Sequence, residues 1–163
     1  MTDEKRKAVL ALIARYLVPR WHGSVTDWVC ANVLFDEPDN HGPFSTAGRD
    51  YVREPLDAFS DNSIHDEVLV FGSQTGKTAM LMGGIAWQLV NDPSRVLWVM
   101  PSIDLATAFS ETRWMPLLRS TRQTRELIPT GQARYGFKKA QQTMKGGIVS
   151  FVGSNSPGNI SSH

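Results

Sequence analysis

The chain has 163 residues, 41% of them hydrophobic and 20% charged, which describes a globular protein of about one domain and excludes a disordered tail. One cysteine, Cys30, excludes an internal disulfide framework and suits a reducing compartment. The formal net charge of +1 predicts neither nucleic-acid nor membrane binding. The total hides an asymmetry: residues 1–112 carry nine basic and fifteen acidic side chains, a balance of −6, whereas residues 113–163 carry eight basic and one acidic, a balance of +7. Arg113, Arg119, Arg122, Arg125, Arg134, Lys138, Lys139 and Lys145 make that second part either a polyanion surface or a solvated helix face followed by a basic loop.

In chain order, Val9, Leu12, Ile13, Tyr16 and Leu17 recur at helical spacing and predict an amphipathic helix. Arg15 interrupts the apolar run and no small-residue cleavage site precedes Pro19, so the segment reads as neither signal peptide nor membrane span. The chain is expected to be soluble and intracellular. Ser24 is placed to cap a second helix that carries Val25, Trp28, Val29, Asn32 and Val33 on one face and Cys30 as a small structural side chain. Residues 36–46 are acidic and rich in Pro and Gly, and read as a linker; the arm and linker together span residues 1–45. Pro55 suits the first turn of a short helix ending near Phe59.

From residue 68 the pattern becomes alternating strand and helix. Val68-Leu69-Val70-Phe71 is an apolar run of the kind a strand covered on both faces shows, residues 77–90 are helical, and Val96-Leu97-Trp98-Val99-Met100 reads as a second buried strand. Ser102 can cap the next helix, with Asp104 in its first turn, and a broken helical stretch continues to Ile128. Gly146-Gly147 predicts a hairpin turn. The fold class is therefore α/β: a parallel sheet flanked by helices with an antiparallel hairpin added, preceded by N-terminal helices.

Gly72-Ser73-Gln74-Thr75-Gly76-Lys77-Thr78 stands between the first predicted strand and the long helix. Glycines there let backbone N–H groups approach a polyphosphate, and the helix start adds partial positive charge. Lys77 would reach the terminal phosphates of ATP and the Thr78 hydroxyl would ligate Mg²⁺. The match to the phosphate-loop pattern G-x-x-x-x-G-K-[ST] is shifted, since Phe71 stands where the first Gly belongs. The four histidines are scattered without metal-ligand spacing.

With these motifs in order, the sequence resembles the N-terminal ATPase region of the large terminase subunit of lambda-type tailed phages, over roughly residues 24–162. The marks are Val25-Thr26-Asp27-Trp28-Val29, the segment from Tyr51 to Ala58, the loop Gln74-Thr75-Gly76-Lys77-Thr78, the stretch from Val96 to Phe109, and Gly146-Gly147 followed by Val152-Gly153-Ser154-Asn155-Ser156-Pro157. The resemblance implies a P-loop NTPase-type domain over residues 46–163 that binds ATP and Mg²⁺ and drives viral DNA into a procapsid. It also implies double-stranded DNA, the small terminase subunit and the portal as partners, homo-oligomeric assembly, and action in the cytoplasm of the bacterial host. It carries Gly76, Lys77 and Thr78 over as nucleotide and metal contacts, gives Gln74 a role in shaping the loop, and puts Tyr51 and Arg53 on the adenine side. Ser73 stands where other terminases have a loop arginine, which leaves the arginine trigger open. Lys138, Lys139 and Lys145 are the candidate DNA contacts. No acidic residue follows Glu126, so the hydrolytic carboxylates and the nuclease are expected to be missing and this chain to turn over no ATP alone. A different P-loop ATPase of helicase type, and a remnant that binds nucleotide, DNA or the small subunit without turnover, stay open as alternatives.

Overall fold

The computed structural model describes residues 5–6, 21–37, 40–131 and 136–155. The predicted helix around residues 9–17, Arg134 and the end of the Asn-Ser-Pro stretch lie outside the described residues.

Helix α1 (Val25–Asn32) begins where Ser24 accepts a hydrogen bond from the Asp27 N–H at 3.0 Å, the cap its sequence announces. Val25, Trp28 and Val29 bury the inner face of α1. The residues that follow do not form the expected linker. They pair as an antiparallel hairpin, β1 (Leu34–Glu37) with β2 (Asn40–Pro43), in the register Leu34 to Pro43 and Glu37 to Asn40. Alternation explains it: Phe35 and Glu37 point inward while Leu34 and Asp36 point out, and Phe35 meets Phe44 at 6.2 Å between ring centroids. Composition suggested a loop, but the two buried phenylalanines give the hairpin an apolar anchor that a linker lacks.

A 3₁₀ turn (Asp50–Val52) leads into α2 (Arg53–Ala58). Residues 68–71, expected as a buried strand, form no ladder; Val68 and Val70 are 85% and 88% exposed. Leu69 and Phe71 still pack against the core, so the period-2 alternation survives. What is missing is a neighbouring strand, among the described residues, to pair the backbone and cover the outer face. Just before them, desolvation first and the charge of Glu54 second push the Glu67 carboxyl up from its ordinary range.

The long helix α3 (Lys77–Asn91) buries Met80, Met82, Ile85, Ala86, Trp87 and Leu89. Strand β3 (Ser94–Met100) follows, then α4 (Ile103–Phe109), a π turn (Ser110–Trp114), α5 (Met115–Ser120) and the short α6 (Arg122–Arg125). Ser102 caps α4 by accepting from the Leu105 N–H. The chain returns through β4 (Gln141–Met144) and β5 (Gly147–Gly153). The sheet order is β3-β5-β4, with β3 parallel to β5 from Ser94–Gly147 to Met100–Gly153 and β4 antiparallel to β5. The described chain is thus a mixed α/β fold whose sheet contains a parallel pair and the predicted hairpin.

Strand β5 sits at the centre and is buried on both faces over Val149 to Val152. Strand β3 is not: Leu97 and Val99 remain exposed while Trp98 faces inward, contrary to the expectation of a strand covered on both sides. As at residues 68–71, no element among the described residues packs over that face, and β3 is the edge strand of its sheet. Trp98, Phe109, Trp114 and Phe151 form the aromatic centre of the core, with Trp98 and Phe109 at 4.6 Å between centroids. Gly147 has φ +140, and a Cβ there would lie 1.9 Å from the Ser94 carbonyl oxygen, so the close β3–β5 approach requires glycine.

Candidate phosphate-binding site

Residues 72–76 turn the chain into α3. Gly76 is the N-cap with φ +83, a left-handed conformation that a side chain would oppose, and Gln74 adopts φ 61 beside it. The first helical bond of α3 runs from the Met80 N–H to the Gly76 carbonyl at 2.9 Å. By helical geometry the N–H groups of Lys77, Thr78 and Ala79 therefore have no partner inside the helix, and Gly76 brings no side-chain cap to replace one. These donors, at the positive end of a fifteen-residue helix, favour an anion. The Lys77 ammonium donates to the carbonyls of Phe71 and Gly72, which folds it back over the loop. Thr75 braces the turn by donating its hydroxyl to the Gly72 carbonyl at 3.0 Å.

A cleft of about 690 Å³ opens over this loop. Ser73, Gln74, Thr75, Gly76, Lys77, Thr78 and Ala79 form its floor, while Glu37, Asn40, Arg49, Thr112 and Arg113 come from elsewhere in the chain. Of the loop residues expected from the sequence, all but Gly72 line it. Tyr51 is not in the lining but touches the loop, donating its hydroxyl to the Thr75 carbonyl at 3.0 Å and meeting the Phe71 ring edge-on at 5.4 Å. Arg53 is outside the cleft and engages Asp50, Nε to Oδ1 at 3.2 Å.

None of these five wall residues was singled out from the sequence as a site residue, and three of them are charged. Arg49 lies over the Phe44 ring at 5.8 Å, donates to the Ser45 carbonyl, and brings one terminal nitrogen within 3.0 Å of where a Cβ on Gly76 would stand. Glu37 projects from the hairpin and is buried; its Oε2 accepts from Arg113 Nε at 2.8 Å. Arg113, counted from the sequence with the basic surface, instead faces the loop from the π turn. The inward alternation of Phe35 and Glu37 was the one signal that could have flagged a buried carboxylate; for Arg49 no local pattern exists. The cleft therefore carries Arg49, Lys77 and Arg113 against Glu37, an excess of positive charge suited to a polyphosphate.

The basic residues of the last third separate. Arg119, Lys138 and Lys139 surround a second cleft of about 290 Å³ with Glu111, Met115, Ile128, Phe137 and Gln142. Lys139 is paired there with Glu111 at 2.5 Å. Lys145 sits apart in the β4–β5 turn, its N–H bonded to the Leu127 carbonyl. Among the described residues no group of three His, Cys, Asp or Glu could hold a metal ion, and no helix is long and apolar enough to cross a membrane.

Comparison with curated proteins gives no match, and comparison with solved structures gives none either. One family model does match, over residues 39–163, and it covers the glycine-lysine-threonine loop, the α3 helix and the whole β3-β5-β4 sheet. Its description is the ATPase domain of the phage terminase large subunit gpA, and the chain belongs to that family.

Proposed function

We propose that the loop of residues 72–78 binds the phosphates of ATP and that this binding serves the movement of double-stranded viral DNA into a procapsid. Residues 46–163 would form a P-loop-type unit, with the β1–β2 hairpin closing one wall of its cleft. The observation that carries the reading is the cleft itself, where unpartnered N–H groups of a helix start and three cationic side chains face one space. Lys77 would leave the Phe71 and Gly72 carbonyls for the β- and γ-phosphates. The donor set fits a metal that arrives with the nucleotide: Thr78 offers a hydroxyl, and the phosphates would supply the charge that no carboxylate cluster supplies among the described residues. Gln74 and Tyr51 act through the loop's shape, Tyr51 by fixing the Thr75 carbonyl. Arg53, bound to Asp50, is left to the loop's outer surroundings.

DNA is the second ligand of this reading. Arg119, Lys138 and Lys139, clustered around the smaller cleft, support contact with a phosphate backbone, and Lys145, apart from them in the β4–β5 turn, would be a further contact. A translocating motor holds DNA without reading it, so such contacts go to phosphates. The small terminase subunit, the portal and further copies of the chain are its proposed protein partners, in the cytoplasm of the host bacterium.

Thermal unfolding tests the nucleotide site. Mg·ATP at about 100 times its dissociation constant adds about 2.7 kcal/mol to the stability of the form that binds it. For a chain of this size that is a rise in melting temperature of about 5–10 °C. Lys77→Ala should remove most of the rise while changing the nucleotide-free melting temperature little, since the lysine contacts only loop carbonyls. Equal shifts in both proteins would refute the assignment.

A further inference from the structure

The Glu37–Arg113 pair is unusual for a structural ion pair. A carboxylate and a guanidinium that serve only to tie two segments together gain most by a fork-to-fork contact, which engages both carboxylate oxygens. Here a single bond forms, Arg113 Nε to Glu37 Oε2 at 2.8 Å. Glu37 is 8% exposed, yet its Oε1 is buried without a hydrogen-bond partner. Among the described residues the two terminal nitrogens of Arg113 have no hydrogen bond. Both residues line the cleft that holds Lys77 and Thr78. The guanidinium is thus gripped at its inner edge and free at its outer one.

The backbone under Arg113 is fixed as well. The π turn Ser110–Trp114 is a rare geometry that recurs at functional positions. It is anchored at both ends by the buried Gln142 side chain, which accepts from Trp114 Nε1 and donates to Ser110 Oγ, each at 3.0 Å. An arginine with an anchored backbone, a clamped Nε and two idle terminal nitrogens is preorganised to receive an anion that enters from the loop side.

We propose that Arg113 reads the terminal phosphate of a nucleoside triphosphate seated on the Lys77 loop, and that Glu37 is the positioning residue that holds it. This rests on the nucleotide-binding reading above and goes beyond it: Lys77 and the helix-start amides serve any nucleotide with a β-phosphate, whereas Arg113 distinguishes triphosphate from diphosphate. Glu37 keeps the guanidinium edge-on before the ligand arrives and offsets its charge until then.

The test compares Mg²⁺ with a non-hydrolysable ATP analogue against Mg·ADP, by calorimetric titration of the whole 163-residue chain. Arg113→Ala should weaken the triphosphate about tenfold relative to the diphosphate, which is the ~1.4 kcal/mol of one charge-assisted contact. Arg113→Lys keeps the charge but loses the fork, and should show a smaller loss in the same ratio with the fold intact by melting. Glu37→Ala should reproduce the loss of discrimination and add nothing to it when combined with Arg113→Ala; Glu37→Gln, which still accepts from Nε, should restore most of it. Lys77→Ala should weaken both nucleotides. If both arginine variants leave the triphosphate-to-diphosphate ratio unchanged, or weaken the two nucleotides equally, the pair is structural and the proposal fails. A wild-type chain that binds neither nucleotide would overturn the loop assignment itself, and the proposal with it.

Discussion

Gln142 offers the most direct check on how the cleft is held in shape. Its side chain is completely buried on β4, yet it bonds two residues of the π turn, accepting from the Trp114 indole and donating to the Ser110 hydroxyl at 3.0 Å each. Gln142→Ala removes both partners at once and leaves an indole N–H and a hydroxyl in a dry interior. Each orphaned group costs about 1–3 kcal/mol, and the lost methylenes add a packing term. The expected destabilisation is about 3–5 kcal/mol, or a fall of about 10–15 °C in melting temperature for a chain of this length. Urea unfolding of Gln142→Leu, Trp114→Phe and the double variant isolates the polar term, because phenylalanine brings no N–H that needs an acceptor. Gln142→Leu should cost about 1–2 kcal/mol less in the Trp114→Phe background than in the wild type. Amide exchange should also quicken over residues 110–114 in Gln142→Leu, since the turn has lost its tie to the sheet. If the two substitutions add within about 0.5 kcal/mol, the indole–amide bond contributes nothing specific, and the idea that it fixes the backbone of Arg113 is refuted.

Two further outcomes follow from single residues. Gly147→Ala should destabilise the fold by about 2–4 kcal/mol, because a Cβ 1.9 Å from the Ser94 carbonyl forces β3 and β5 apart at the start of their parallel register; a melting temperature within about 2 °C of wild type would show that the strands yield there. Lys138→Ala combined with Lys139→Ala should flatten the dependence of log DNA affinity on log salt by up to ~2 and weaken all sequences alike, the pairing of Lys139 with Glu111 making the change smaller rather than larger; an unchanged slope returns these lysines to a solvated surface.

The parts of the fold that were legible in the sequence are those decided locally. Ser24 and Ser102 announced their helix starts because a hydroxyl three residues before an amide is a short-range device. The loop into α3 was readable because its chemistry is written in consecutive residues, with Gly76 supplying the left-handed turn and Lys77 the charge. The hairpin at Gly146-Gly147 was readable for the same reason. Two expectations fail where an apolar run implies neighbours on both sides. Val68 and Val70 have the composition of a buried strand, and Leu97 and Val99 that of another, but burial is a property of what pairs beside them.

The same distinction separates the two walls of the cleft. The floor is a contiguous motif and could be named residue by residue. The opposite wall depends on Glu37 and Arg113, 76 positions apart, meeting across the opening. In the sequence, Glu37 belongs to an acidic stretch that composition assigns to a linker, and Arg113 to a basic run that charge counting assigns to a surface. Each assignment is reasonable for the residue alone. What reverses both is packing: Phe35 and Phe44 are buried in the core, β1 lies against α5, and the Leu34 N–H donates to Oγ1 of Thr121, the residue that ends α5, at 3.1 Å, which sets Glu37 beside the π turn. A charge count describes a protein as seen from far away, whereas the ligand selectivity proposed here depends on one carboxylate and one guanidinium that the core brings together.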